Sequence, residues 1–361
     1  MTSKAFGLAQ LGNAYADGAL SNRSKIINGA MTIDQRNAGA AVTFDTAATY
    51  LVDRWTQNNS GGATITGQQS TTAPSGFKNS LLVTATTGGA PSAGQARVFR
   101  QTVEGFNIAD LGWGGASAQP ITVSFWVRST ATGTFCCYVS NAAYNRSQVQ
   151  TFSITSADTW EYKTVTFSGD TSGTWGTGNG HGIEFGIDVG SGSNFEATVG
   201  AWNAGWYTRT AGAVILSATT NANIYITGVQ LEAGDTATPF EHRSYGQELA
   251  LCQRYFCKTY NQSQAPGTAT AGVAPIRATS TGNAYGTIGA WYYPVTMRAV
   301  PTITGYAPGS GGAGFFQGDS AIYSQLGIHA PTETGVAFYV NNNAIGVNTF
   351  FAVHATAAAE L

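Results

Sequence analysis

ITVSFWVRS, residues 121–129, alternates Ile121, Val123, Phe125 and Val127 with Thr122, Ser124, Trp126 and Arg128. Successive side chains of a β-strand point to opposite faces, so one face of this stretch is apolar and the other mixed. The same style returns in SLLVTAT (80–86), ARVFRQTV (96–103), FCCYVSN (135–141), VQTFSIT (149–155), WEYKTVTFSG (160–169), GIEFGIDVG (182–190) and ANIYITGVQLE (222–232). Gly-, Ser- and Asn-rich breaks separate these runs, as turns between strands require. Strands with one apolar face need a second layer to cover it. Two antiparallel sheets packed face to face are therefore expected over residues 26–241.

Composition narrows the function classes. The chain has 361 residues, enough for two cores, and only 10% are charged, with a formal net charge of −2. No Lys/Arg cluster offers an electrostatic footprint for nucleic acid, so no nucleic-acid partner is expected. Aromatics reach 12% and Gly numbers 46, a mixture that folds rather than staying disordered. No apolar run has membrane-spanning length, and MTSKAFGLAQLGNAYADGAL lacks the core of a secretory signal. Assembly in a cytoplasm without membrane insertion is expected. Cys136, Cys137, Cys252 and Cys257 show no zinc spacing, so they are read as buried apolar thiols and no metal site is assigned.

Along the chain, residues 1–25 read as an arm. Leu8, Leu11 and Tyr15 have helical spacing, but Gly7, Gly12 and Gly18 weaken an isolated helix. An attachment peptide fits; a frayed terminus is the alternative. The stretch QLEAGDTATPFEHRSYGQELALCQRYF (230–256) concentrates Glu232, Asp235, Glu241, Arg243, Glu248 and Arg254 in a chain that otherwise avoids charge. Pro239 ends the preceding strand. Ser244 and Gln247 have capping-box spacing, and Leu249, Cys252 and Phe256 follow at i, i+3 and i+7. Residues 242–257 thus predict a hinge and a linker helix of about three turns, marginal alone. Its apolar face needs either the C-terminal module or the same helix of neighbouring subunits. Residues 258–361 predict a second, smaller β-sandwich, with strands in YGTIGAWYYPV, PTITGYA, GVAFYVNN and TFFAVHATAAAEL.

Several of these strings also carry a resemblance. IINGAMTIDQRN (26–37), a Trp soon after (Tyr50–Trp55), ITVSFWVRS, DTWEYKTVTF and IYITGVQLE together resemble a carbohydrate-binding jelly roll of the kind attached to xylanases. IINGAMTIDQRNAG, YLVDRWT, the whole of 230–256 and the final AEL are similar to bacteriophage tail-fibre-type and related virion proteins, from about residue 5 to 361. The resemblance implies an all-β virion protein: a jelly roll, a linker helix and a β tip, homotrimeric, docked on other virion proteins through its arm. Its external partner would be a host-surface glycan. Sugar-binding jelly rolls often hold a structural calcium through an acidic residue after the opening Asn-Gly. Here that place is Met31–Thr32, although Glu232 remains on the closing strand, so no cofactor is expected and calcium is kept only as an alternative.

Sugar recognition needs flat apolar rings with amides or charged groups beside them. Aromatics in Gly-rich loops are the candidates, since loops lie at the surface. Trp175, Trp113, and the run Trp202, Asn203, Trp206, Tyr207 and Arg209 are expected to bind glycan. The competing reading is that these rings plug the sandwich ends or pack between subunits. Trp55, Trp126 and Trp160, in or beside strands, are expected in the core. At the tip, Phe315, Phe316, Asp319 and Tyr323 are further contact candidates. Glu184 and Asp188 share a strand face, but an i, i+4 spacing separates their backbones by about 13 Å, beyond a glycosidase acid/base pair. They read as two solvated carboxylates. His181, His242, His329 and His354 are scattered, no GxSxG serine is present, and no catalytic residue is assigned. The alternatives are a structural decoration, head-fibre or adaptor protein that binds no sugar, and a polysaccharide-degrading tailspike.

Overall fold

The computed structural model describes residues 22–47, 49–270, 276–279, 285–318, 322–324, 326–341 and 350–361. Leu8, Leu11, Tyr15 and Asp319 lie outside these residues. The described chain is mostly β and divides into two compact units, one on residues up to Thr32 and Gly39–Tyr245, the other on Ile33–Ala38 and Gly246–Glu360.

In chain order the first unit contains β1 (Val42–Thr43), β2 (Tyr50–Val52), β3 (Trp55–Asn59), β4 (Thr64–Ser70), β5 (Ser80–Thr87), β6 (Arg97–Glu104) and β7 (Ile121–Ser129). It continues with β8 (Gly133–Asn141), β9 (Ser147–Ile154), β10 (Glu161–Phe167), β11 (His181–Asp188), β12 (Trp202–Asn203) and β13 (Asn223–Ala233). A six-stranded sheet has the order β1-β4-β5-β13-β7-β10, and a seven-stranded sheet β12-β9-β8-β11-β6-β3-β2. All the strand pairs are antiparallel. One core joins the sheets: Val123, Phe125 and Val127 of β7 and Ile224 and Ile226 of β13 from the first, Phe99, Phe135, Cys137, Phe185 and Ile187 from the second. Trp55 lies in that core and its Nε1 donates to the Asn28 carbonyl at 3.2 Å. Only glycine fits beside Asn28, because a Cβ on Gly29 would collide with the Val229 carbonyl.

The ionic stretch after β13 ties the chain's first described residues to the last strand of this sandwich. Glu241 accepts the Ser24 amide at 3.0 Å, and Arg243 donates to the Ser24 and Ile26 carbonyls at 2.7 and 3.1 Å. Glu232 accepts the Thr238 amide and hydroxyl at 2.8 and 2.7 Å and Gln230 Nε2 at 3.1 Å. The carboxylate singled out as a calcium remnant is therefore held by protein donors.

In the second unit, α1 (Tyr245–Gln253) is followed by β14 (Phe256–Lys258), β15 (Ile276–Thr279), β16 (Tyr285–Tyr292), β17 (Thr302–Tyr306), β18 (Phe315–Gly318) and β19 (Ile322–Ser324). Then come β20 (Leu326–His329), β21 (Gly335–Asn341) and β22 (Phe350–Ala358). The hub is β22, which pairs with β14, β15, β17 and β18. A three-stranded sheet, β16-β21-β20, contributes Val336 and Phe338 to the same apolar cluster as Cys257, Phe316 and Val353.

Three expectations need correction here. The helix is shorter than the predicted 242–257 segment, and Phe256 is not on it. Phe256 begins β14, where it pairs with Ala358 of β22, so strand pairing stops the helix. Of the predicted helix face, Leu249 is half-buried and Cys252 fully buried within this chain. Ile33–Ala38, expected within the first module, belongs to the second unit. Gln35 Nε2 donates to the Phe256 carbonyl at 2.8 Å and Lys258 Nζ to the Gln35 carbonyl at 2.7 Å. The Arg36 guanidinium lies 3.8 Å over the Phe256 ring and pairs with Glu360 at 2.7 Å.

Candidate functional site

The predicted glycan contacts separate into two groups on the sandwich. Trp113, Trp175 and Trp202 meet edge to face, with centroids 4.6 Å apart for Trp113–Trp175, 5.4 Å for Trp113–Trp202 and 5.6 Å for Trp175–Trp202. Trp113 and Trp175 are buried in the sandwich core and Trp202 packs against it half-buried. Their indole N–H groups donate inward, to the Gln119 carbonyl, to Asp170 and Ser172, and to the Ser168 carbonyl. Asp170 also takes a two-pronged ion pair from Arg146. These rings plug the sandwich, and Trp113 and Trp175 are not open binding surface. Burial follows because three aromatics, two from loops and Trp202 from β12, cover one another, which none could do alone.

The second group lies on the outer face of the seven-stranded sheet. The segment from Ser191 to Ile215 crosses this face and encloses a small apolar cluster of Val98, Cys136, Tyr138, Val149 and Ala213, with Trp206 and Tyr207 packed half-buried against it. Arg209 is buried. It donates to the Ser191 and Ala213 carbonyls at 2.7 and 2.8 Å, so it ties the crossing segment down and is unavailable as a sugar contact. Asn203 is half-buried and donates to the Ala201 carbonyl at 2.7 Å.

Beneath Trp206 is a charge cluster that the sequence reading missed. In register across β8, β11 and β6, Tyr138 and Arg100 flank Gly186. The absent Cβ lets both side chains converge on Glu184, one pleat along. Glu184, fully buried, accepts from Tyr138 Oη at 2.8 Å, Tyr144 Oη at 3.0 Å and Arg100 Nη1 at 3.1 Å. Asp188 is buried too and accepts the Gly190 and Ser191 amides and the Thr208 hydroxyl. The two carboxylates read as solvated are therefore neither. Their parity does face away from the core, but the crossing segment covers them.

Burial and charge shift several groups around Glu184. Burial opposes the Arg100 charge, yet Glu184 with Tyr138 and Tyr144 outweighs it, and the guanidinium is held above its ordinary pKa. Burial first, then the Glu184 charge, raises both phenols, so Tyr138 and Tyr144 remain donors. His181, edge-on to Tyr144 at 6.0 Å, is pushed below the usual histidine pKa by burial, and by Arg100 against the opposing pull of Glu184. Burial also lifts the Cys136 thiol to about 11, which removes it as a nucleophile.

Two rings complete the face. Tyr144, 36% exposed, sits in the β8–β9 turn with φ of 53°, a left-handed backbone that the Asn141 side chain braces by accepting the Asn145 and Arg146 amides. Trp206 lies 5.4 Å from Tyr144 at 60°, and Arg100 sits 5.9 and 5.7 Å from the two ring centroids. Trp206 Nε1, His181 Nε2, Arg100 Nε and Ser140 Oγ are buried without a hydrogen-bond partner. The partly exposed Tyr144 ring, braced by Trp206 and Arg100, can stack on a sugar ring.

At the tip, Phe315 is 39% exposed and Phe316 fully buried, because alternate residues of β18 face opposite ways. Phe316 is therefore a core residue. Tyr323 falls in β19, where the backbone alone is described. Trp126 and Trp160, expected in the core, are half-exposed. Among the described residues, no group of three His, Cys, Asp or Glu side chains could hold a metal ion.

No protein-family model matches the chain, and no curated protein matches it. Solved structures similar to it include the tailspike protein 4 enzymatically active domain of bacteriophage CBA120, with TM-score 0.30, 14% identity and 58% of this chain covered. The match spans only 21% of that tailspike chain. A family 11 carbohydrate-binding module from Clostridium thermocellum, in complex with a β-1,3-1,4-mixed-linked tetrasaccharide, matches at TM-score 0.29 and 10% identity, covering 56% of this chain and 98% of its own. TmCBM61 in complex with β-1,4-galactotriose matches at TM-score 0.29 and 11% identity, covering 59% and 99%. Likenesses this distant assign neither ligand nor activity.

Proposed function

We propose that this protein is a non-catalytic glycan-binding component of a bacteriophage particle, a tail fibre or related fibre that attaches the virion to host-surface sugar. The observation that carries the binding half is the Tyr144–Trp206 corner over the Arg100–Glu184 pair, with unused indole and imidazole nitrogens beside it. Stacking a sugar ring on the exposed Tyr144 phenol is sugar-binding chemistry and needs no cofactor. Hydrolysis is disfavoured because both oxygens of Glu184 already accept from protein donors. The virion half is supported by the resemblance of residues 230–256 to phage fibre proteins. In this reading the jelly roll expected over 26–241 is the first unit, the arm docks on other virion proteins, and a homotrimer multiplies weak single sites through effective concentration.

The test is retention of the protein in gels cast with polysaccharide extracted from host cells. Tyr144→Ala or Trp206→Ala should weaken retention at least tenfold, whereas equal retention of both variants and the parent would sink the assignment of this face. Reducing ends released from that polysaccharide, and lost in Glu184→Gln, would replace binding with hydrolysis. A second reading, scaffold without sugar, is favoured by the buried Trp113–Trp175–Trp202 plug; it predicts no retention at all.

A further inference from the structure

The outer face of the six-stranded sheet, on the other side of the sandwich, carries aromatic rings that no core requires. Tyr162 of β10 is the cross-strand partner of Trp126 of β7, and their rings lie 5.5 Å apart at 55°. Two residues along, Arg128 of β7 partners Tyr225 of β13 and holds its guanidinium 5.2 Å over that ring, while Trp160 lies 6.1 Å from Tyr225 at 63°. Phe125, Val127, Ile224 and Ile226, the neighbours of opposite parity, fill the core, so these rings point outward. Tyr162 is 45% exposed.

We propose that this strip is a second glycan-binding site, a flat platform for a neutral polysaccharide chain. The two ring rows stand about 7 Å apart along the strands and on neighbouring strands, so an extended chain laid across the sheet can meet both. Charge argues for a neutral occupant. Arg128 is already balanced by Asp158 at 3.1 Å, so no free cation awaits a polyanion. Its Nε and Nη2 both donate to Asp158, and Nη1 is left with no protein acceptor beside the Tyr225 face, placed for a sugar hydroxyl. This site stands on its own geometry and does not depend on the Tyr144 face; with both, one chain would bridge two glycan strands.

The experiment is affinity electrophoresis of the full chain in gels holding hydroxyethyl cellulose, mixed-linked β-glucan or β-1,4-galactan. Tyr162→Thr/Tyr225→Thr, at positions where threonine suits a strand, is compared with Tyr144→Ala and with the combination. Retardation that Tyr144→Ala only lowers, and that the combination removes, supports two sites. Retardation untouched by Tyr162→Thr/Tyr225→Thr overturns this proposal and spares the Tyr144 face. Self-association of the parent chain in sedimentation velocity, abolished by the same double variant, overturns it in favour of a second copy as occupant. A parent chain retarded by none of the three gels overturns it as well. Should the double variant unfold, Tyr162→Lys at its exposed position carries the same comparison.

Discussion

Glu184 faces away from the apolar core and still has no exposed surface, because Arg100, Tyr138 and Tyr144 enclose it. Removing one member of a buried ion pair strands the other, so Glu184→Ala should destabilise the protein by about 3–5 kcal/mol, read from urea unfolding. His181 supplies a pH signature. Its folded pKa is lowered, mainly by burial, so the unfolded chain takes up the proton more readily. The stability tied to a neutral His181 is complete above the unfolded value of about 6.5 and declines as pH falls below it. The urea midpoint should therefore drop between pH 7.5 and 5, and His181→Gln should flatten that drop; an unchanged slope would remove His181 as its source. Strand parity alone could have placed Arg100 and Glu184 on one sheet face. It could not show that residues far along the chain would cover them.

In β11 the decisive position is Gly186. A Cβ there would stand 2.5 Å from Tyr138 Cε1, and the enclosed phenol ring has little room to move. Gly186→Ala should cost about 1–3 kcal/mol of stability by overpacking and, by shifting Tyr138 off Glu184, should also weaken sugar retention. A variant with parent stability and parent retention would show that the ring yields freely. Much of the sandwich was readable from such strands. Ile121, Val123, Phe125 and Val127 are all buried as their alternation predicts. The same alternation, followed strictly, puts Trp126 outside with Arg128; assigning it to the core let hydrophobicity override parity. The helix after Ser244 was readable from its spacing. Its early end was not, because β14 is set by a partner strand about a hundred residues later.

At the scale of the whole first unit, the Trp113–Trp175–Trp202 plug separates stability from binding. Trp175→Ala should lower stability by about 3–5 kcal/mol through the cavity it leaves, while polysaccharide retention, measured well below the melting temperature, stays at the parent level. Lost retention in a folded Trp175→Ala protein would place that ring in the binding surface after all. Gly-rich context suggested exposed loop rings, and what reversed it was a meeting of residues from two loops and the short strand β12, invisible to local pattern. The segment Ile33–Ala38 has a consequence for biogenesis. Arg36 finds its carboxylate partner 324 residues further on. At bacterial translation rates of about 5–20 residues per second, that pairing waits roughly 15–65 s after Arg36 is polymerised. Phe256 and Lys258, which the same segment also meets, are made about a hundred residues sooner, so the Glu360 ion pair is a late addition to contacts that can already have formed, and slower ribosomes would widen that gap.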